Sequence, residues 1–118
     1  MPSESLTIEP LSGTDQNKHL YRLQGPLVLG TMFAIQDLLS PAPVSTILDM
    51  SAVPSVDSAG LGALVNCYVS RQKVGRKLLL VGVNDRLAAL LKITRLQHLF
   101  EVFPTVDDAV RFLESHPA

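Results

Sequence analysis

The sequence predicts an α/β domain: a mixed sheet of four to five strands, parallel strands at its centre, and about four helices mainly on one side. Three observations predict it. Strand-like and helix-like runs alternate from the middle of the chain onward, the pattern of parallel strands joined by right-handed helical crossovers. The run Lys77 to Val83 is almost continuously aliphatic, as expected of a central strand covered on both faces. A length of 118 residues suffices for one hydrophobic core and not for two, so residues 1–118 form a single domain, without internal repeat, low-complexity tract or linker.

Each element has its own signal. Leu6 and Ile8 alternate with Thr7 and Glu9, and His19 to Gln24 offers a second short strand; Gly13, Asp15 and Asn17 supply the turn of a hairpin between them. After Gly25-Pro26, the segment Thr31 to Leu39 places Met32, Ile35, Leu38 and Leu39 at helical spacing, and Pro41 and Pro43 forbid continuation. Val44 to Met50 is the next strand. A helix running from Leu61 to Gln72 sets Leu61, Leu64, Val65, Tyr68 and Val69 on one stripe toward the sheet. Cys67 falls off that stripe and is expected to be a minor packing residue. Arg71 and Lys73 lie where cations complement a helix C-terminus, and Gly75 is placed for the left-handed C′ position. Asn84 can cap a helix that buries Leu87, Leu90 and Leu91, before a short extended piece from Leu99 to Phe103. Thr105 with Asp108 resembles a capping box, and Val106, Ala109, Val110 and Leu113 form the inward stripe of the last helix. The tail from Ser115 to Ala118 is expected to fray.

Composition narrows the function. Hydrophobic residues make up 47% and charged residues 18%, so apolar surface beyond the core should be left over, which favours docking to a partner and leaves room for a homodimer. Net charge is −1 and the basic residues do not gather with aromatics, which argues against a nucleic-acid partner. The longest apolar stretch, Leu78 to Val83, is too short to span a bilayer, and Met1-Pro2-Ser3-Glu4 has none of the regions of a signal peptide. No membrane association is expected, and the location expected is cytoplasmic. A single cysteine agrees with a reducing compartment.

The junction Val56-Asp57-Ser58-Ala59-Gly60-Leu61-Gly62 joins a β-branched run to a helical one and places a serine at the mouth of a helix. The first turn of a helix has amides without intrahelical partners, so a phosphate on Ser58 would meet donors already aimed at it while adding about two negative charges. The plainer reading is that Asp57 or Ser58 is an ordinary N-cap and that Gly60 and Gly62 let strand and helix approach closely.

Other chemistry is weakly supported. Gly60-Leu61-Gly62-Ala63-Leu64-Val65 ends in Val65 where a dinucleotide fingerprint has glycine, and the turn before it is long. Ser58 has Val56 two positions before it, so half of a nucleophile elbow is missing. Neither His98 nor His116 has a spacing that marks it as a base, His19 stands alone, and no metal-ligand spacing or phosphate-cradling Lys-Ser or Lys-Thr loop occurs. Glu101, Asp107, Asp108 and Glu114 are expected at helix starts and solvated faces, and Arg22, Arg86 and Arg95 as solvated charge in the first place, with the reception of an acidic partner or a phosphate as the alternative. An enzyme is not expected, nor a cofactor or metal, and the exposed serine becomes a candidate substrate for another enzyme.

The stretch from Thr46 to Leu64, with Asp57-Ser58-Ala59-Gly60-Leu61-Gly62 at its heart, resembles the STAS domain family and within it the bacterial anti-sigma factor antagonists. The resemblance continues through Lys77 to Asn84, Leu90 to Leu96 and Phe100 to Ala109, nearly the whole chain. It implies a STAS-like sheet and a partner switch: the unphosphorylated antagonist binds an anti-sigma factor that is also a serine kinase and so releases a sigma factor. The kinase phosphorylates the serine after the aspartate, here Ser58, and a serine phosphatase reverses it. The resemblance also implies that Asp57, Ser58, Ala59, Gly60 and Leu61 form the partner-binding segment, with Gly60 permitting close backbone approach and Leu61 supplying apolar contact. Gly25-Pro26-Leu27-Val28-Leu29-Gly30 is more similar to STAS domains fused to anion transporters. That points to an alternative: a regulatory or scaffolding domain, transporter-type or stress-signalling, that binds protein or a small ligand without phosphorylation.

Overall fold

The computed structural model describes residues 5–39 and 44–116. The elements are β1 (Thr7–Pro10), β2 (Lys18–Gln24), α1 (Met32–Leu39), β3 (Ser45–Ala52), α2 (Ser58–Gln72), β4 (Leu78–Val81), α3 (Asp85–Ile93), β5 (Glu101–Phe103) and α4 (Val106–Ser115). Expectations resting on Met1 to Glu4, on Pro41 and Pro43, on the side chains of Leu38 and Leu39, and on Pro117 and Ala118 lie outside the described residues.

One five-stranded sheet runs in the order β1-β2-β3-β4-β5, with β1 antiparallel to β2 and every later pair parallel. Each parallel connection steps one strand over in the same direction. Crossovers of a single hand must then place their helices on the same face. The core follows suit: Leu23, Leu48, Met50, Leu78 and Leu80 of the sheet pack with Ile35 of α1, Leu61, Leu64 and Cys67 of α2, and Leu87 and Leu91 of α3. The last helix has no further strand to reach and folds back over the other face, where Ala109 and Leu113 cover Leu20, Ile47, Leu79 and Val81. Alternate residues of β3 and β4 therefore enter two apolar layers, which is why both strands are aliphatic at successive positions. β4 lies between β3 and β5, so the middle of the sheet is β3.

α2 differs from its sequence expectation. It begins at Ser58, three positions before Leu61, and its buried side is Gly60, Leu61, Ala63, Leu64, Cys67 and Arg71. Val65 and Tyr68 only flank the core, and Val69 is exposed. Cys67 is a core residue, correcting the minor role expected for it. The stripe is rotated toward small side chains because the first turn of α2 lies tight against the loop after β2. In α3 the buried pair is Leu87 and Leu91, with Leu90 half-buried.

Arg71 is 1% exposed and is no solvated dipole partner. Its Nε donates to Thr46 Oγ1 across 3.2 Å and its Nη1 to Ser70 Oγ across 3.0 Å. Burial lowers its pKa, with the nearby Cys67 and Tyr21 opposing. Just beyond it, Arg76 N–H donates to the Arg71 carbonyl and Gly75 N–H to the Gln72 carbonyl, with Gly75 at φ 73°. This is a Schellman turn with Gly75 at C′. α3 closes the same way, through Leu96 N–H to the Leu91 carbonyl and Arg95 N–H to the Lys92 carbonyl, but there the left-handed residue is Arg95, at φ 61°.

Candidate functional site

Two loops at the C-terminal ends of the parallel strands build the site. The loop after β2 and the loop after β3 run side by side: Gly25 N–H donates to the Ala52 carbonyl, Leu27 N–H to the Ser55 carbonyl and Asp57 N–H to the Leu27 carbonyl, at 3.0, 3.0 and 3.3 Å. Leu27 and Val56 form an isolated parallel bridge between them. The start of α2 is thus stitched to a segment about 30 residues earlier before any side chain is counted.

Asp57 is the N-cap. Its backbone is extended, its Oδ1 accepts the Gly60 amide at 2.8 Å, and its Oδ2 accepts the Leu29 amide at 3.1 Å. The Gly60 bond, then the Leu29 bond, lowers its carboxyl pKa, against a smaller desolvation effect. With Asp57 in the cap, Ser58 takes the first helical position and is exposed. Of the two capping alternatives in the sequence, the structure takes Asp57, so the Ser58 hydroxyl is not committed to closing the helix.

Gly60 and Gly62, similar in sequence, differ in role. A Cβ on Gly60 would lie 2.0 Å from the Leu27 carbonyl oxygen and 2.7 Å from its carbon, so only glycine fits where α2 crosses the loop. Gly62 is exposed and a Cβ there would meet nothing within 4 Å. Gly60 and Leu61 are both buried, and the close approach of Gly60 is to Leu27 of the same chain. Beside Ser58 in the chain, Asp57 and Gly62 are exposed; Leu29, whose amide is bound to Asp57, is 61% exposed, and Phe33, four positions after it, is 57% exposed. Sequence reasoning missed the Leu27–Leu29 segment as part of the site; its signal was the Gly25-Pro26 turn, which ends β2 and starts this loop.

The remaining candidates are dispersed. Among the described residues no hydrogen bond joins Ser58 to a histidine: His116 stacks on Phe112, His19 makes an edge contact with Tyr21, and His98 is exposed in the α3–β5 loop. Asp108 pairs with Arg111, and Arg22 approaches the buried Asp49 carboxylate at 3.4 Å. Burial pushes against ionisation of Asp49, but the hydroxyl and amide of Ser51, with Arg22, bring its pKa below the ordinary value. Among the described residues no group of three His, Cys, Asp or Glu side chains could hold a metal ion, and no helix is long and apolar enough to cross a membrane.

The profile of the STAS domain family matches residues 12–109, which take in the whole of this site. The chain belongs to the STAS domain family. Among sequence relatives of this STAS domain is a candidate anti-sigma factor antagonist of Thermotoga neapolitana, 29% identical over 110 residues, covering 93% of this chain and 83% of the relative. Among solved structures, SpoIIAA of Bacillus in its phosphorylated form superposes with a TM-score of 0.72 at 17% identity, covering 91% of this chain and 99% of that one. A sulfate transporter family protein of Wolinella succinogenes superposes with a TM-score of 0.70 at 30% identity, covering 86% of this chain and 88% of that one. Both superpositions show that these solved chains share the fold of this chain.

Proposed function

We propose that this STAS domain is an anti-sigma factor antagonist that works as a phosphorylation-controlled partner switch, with Ser58 as the modified residue. One observation carries the reading: Asp57 performs the capping, which leaves Ser58 exposed at the first position of α2 with a hydroxyl the fold does not need. In its unphosphorylated form the protein binds an anti-sigma factor serine kinase in the cytoplasm and so frees a sigma factor. Ser58 and Ala59 touch the partner directly, the exposed Leu29 and Phe33 add apolar contact, and Asp57, Gly60 and Leu61 hold that surface in shape. The protein is a binding module and a substrate, not a catalyst, and it needs no cofactor.

The phosphate would lie beside the helix amides, so the fold tolerates it. A partner covering the same spot does not, because bulk, desolvation and like charge at a closed interface cost several kcal/mol. A serine phosphatase resets the switch. The names of the relatives support this reading, as does a neighbour solved in a phosphorylated form.

In a titration against a kinase-type anti-sigma factor, Ser58→Ala should bind constitutively and Ser58→Glu poorly, and kinase with ATP should add one phosphate to the wild type and none to Ser58→Ala. Equal affinities for the two variants would refute the switch. The Gly25–Gly30 segment and the 30% identity to the Wolinella protein support a second reading, a regulatory domain that binds without phosphorylation. It would show as partner binding indifferent to the charge at position 58.

A further inference from the structure

The end of the sheet opposite Ser58 carries a cavity of about 360 Å³, lined by the last turn of α2, the start of β4, the α3–β5 loop and the first residue of β5. Its volume falls in the range of small-molecule sites. The segment from 71 to 77 holds Arg71, Lys73, Arg76 and Lys77, four of the ten basic residues of the chain, and no carboxylate. Two of these, Arg76 and Lys77, line the cavity together with His98. Among the described residues none of the three forms an ion pair.

The two cations stand on a fixed turn. Arg76 N–H is bound to the Arg71 carbonyl at 2.8 Å, Lys77 N–H to Ser45 Oγ at 3.1 Å, and the Lys77 carbonyl accepts the Thr46 amide at 2.9 Å. The same turn occupies the Arg71 and Gln72 carbonyls, and so blunts the negative helix end that would otherwise repel an anion. The same cavity is also lined by Glu101 with a carboxyl group, Gln72 with an amide, and Tyr68, packed edge-on against Phe100, with a ring and a hydroxyl.

Cations alone would suit any anion. A carboxylate in the same cavity repels a simple anion and favours a ligand that also brings hydroxyl donors, while an aromatic wall suits a ring. We propose that this cavity binds a small sugar phosphate, its phosphate on Arg76, Lys77 and His98 and its hydroxyls on Glu101. The inference does not depend on the switch at Ser58, which follows the other end of the strands.

The test is an NMR titration of the full chain with ribose 5-phosphate, with ribose and with inorganic phosphate as separate arms. Ribose 5-phosphate should give saturable shifts at the amides of Gly75, Arg76, Lys77 and His98 and bind at least tenfold tighter than either fragment. Arg76→Ala and His98→Ala, both at exposed positions, should each weaken it severalfold, and Glu101→Gln should weaken ribose 5-phosphate while leaving inorganic phosphate unchanged or slightly tighter. Ser58→Ala and Ser58→Glu should bind it like the wild type. Absence of saturation at millimolar ligand, equal binding of inorganic phosphate, or shifts that persist unchanged in both Arg76→Ala and His98→Ala would each overturn the proposal.

Discussion

The Leu29 amide donates to Asp57 Oδ2 across 3.1 Å, although the two residues are 28 positions apart. The other oxygen of the same carboxylate closes the first turn of α2 through Gly60. One side chain therefore fixes both the helix that presents Ser58 and the loop that presents Leu29.

Replacing Asp57 by Asn keeps an acceptor for the Gly60 amide and loses the charge and the second acceptor; Ala loses all of them. Urea midpoints should fall in the order wild type, Asp57→Asn, Asp57→Ala. Because the folded-state pKa of this carboxyl is depressed, its stabilisation is present in full above the unfolded value near 4 and is lost as pH falls through the folded value. The gap between wild type and Asp57→Asn should accordingly be widest near neutral pH and narrow as pH falls below the unfolded value.

The two glycines of α2 should respond in opposite directions. Gly60→Ala drives a methyl into the Leu27 carbonyl and should cost about 1–3 kcal/mol or more, as overpacking does. Gly62→Ala faces open space and should stabilise by about 0.5–1 kcal/mol, the ordinary gain of alanine over glycine in a helix. Thermal unfolding of the pair checks both signs.

Cys67 is 5% exposed, and burial raises its thiol pKa despite the charge of Arg71. In the folded protein a thiol reagent should modify it roughly a hundredfold more slowly than in urea, because reaction waits on opening of the core. Cys67→Ser should destabilise by about 1–3 kcal/mol, the cost of bringing a hydroxyl into apolar surroundings.

Arg95 holds a left-handed backbone at φ 61° where α3 ends. Relief of about 1–2 kcal/mol on substitution by glycine is offset by about 0.5–1 kcal/mol of added chain freedom. Arg95→Gly should therefore raise stability modestly, with an unfolding midpoint above that of the wild type. A midpoint below it would mean that the Arg95 side chain makes a stabilising contact in solution.

The order of strands and helices was legible because each change of hydrophobic period coincides with a turn or cap residue, as at Gly25, Asn84 and Thr105. The face of α2 was not legible. Counting large aliphatic residues pointed to Val65 and Val69, whereas the tight crossing over Leu27 selects Gly60, Ala63 and Cys67, whose size and not their hydropathy suits them to it. Arg71 escaped for a related reason: a guanidinium looks solvated in a sequence, and only the folded chain brings Thr46 to it. At the site, Asp57 and Ser58 could be singled out from their position ahead of a helix. The tie of Leu29 to Asp57 could not, since it comes from a backbone amide, which every residue other than proline carries.

Both rims of the sheet are short. β1 has four residues and ends in Pro10, which has no amide to offer, and β5 has three. Neither makes a good template for an added strand. Among the described residues, crowded copies would find little strand edge to zip onto, so concentrated solutions should resist fibre formation through these rims.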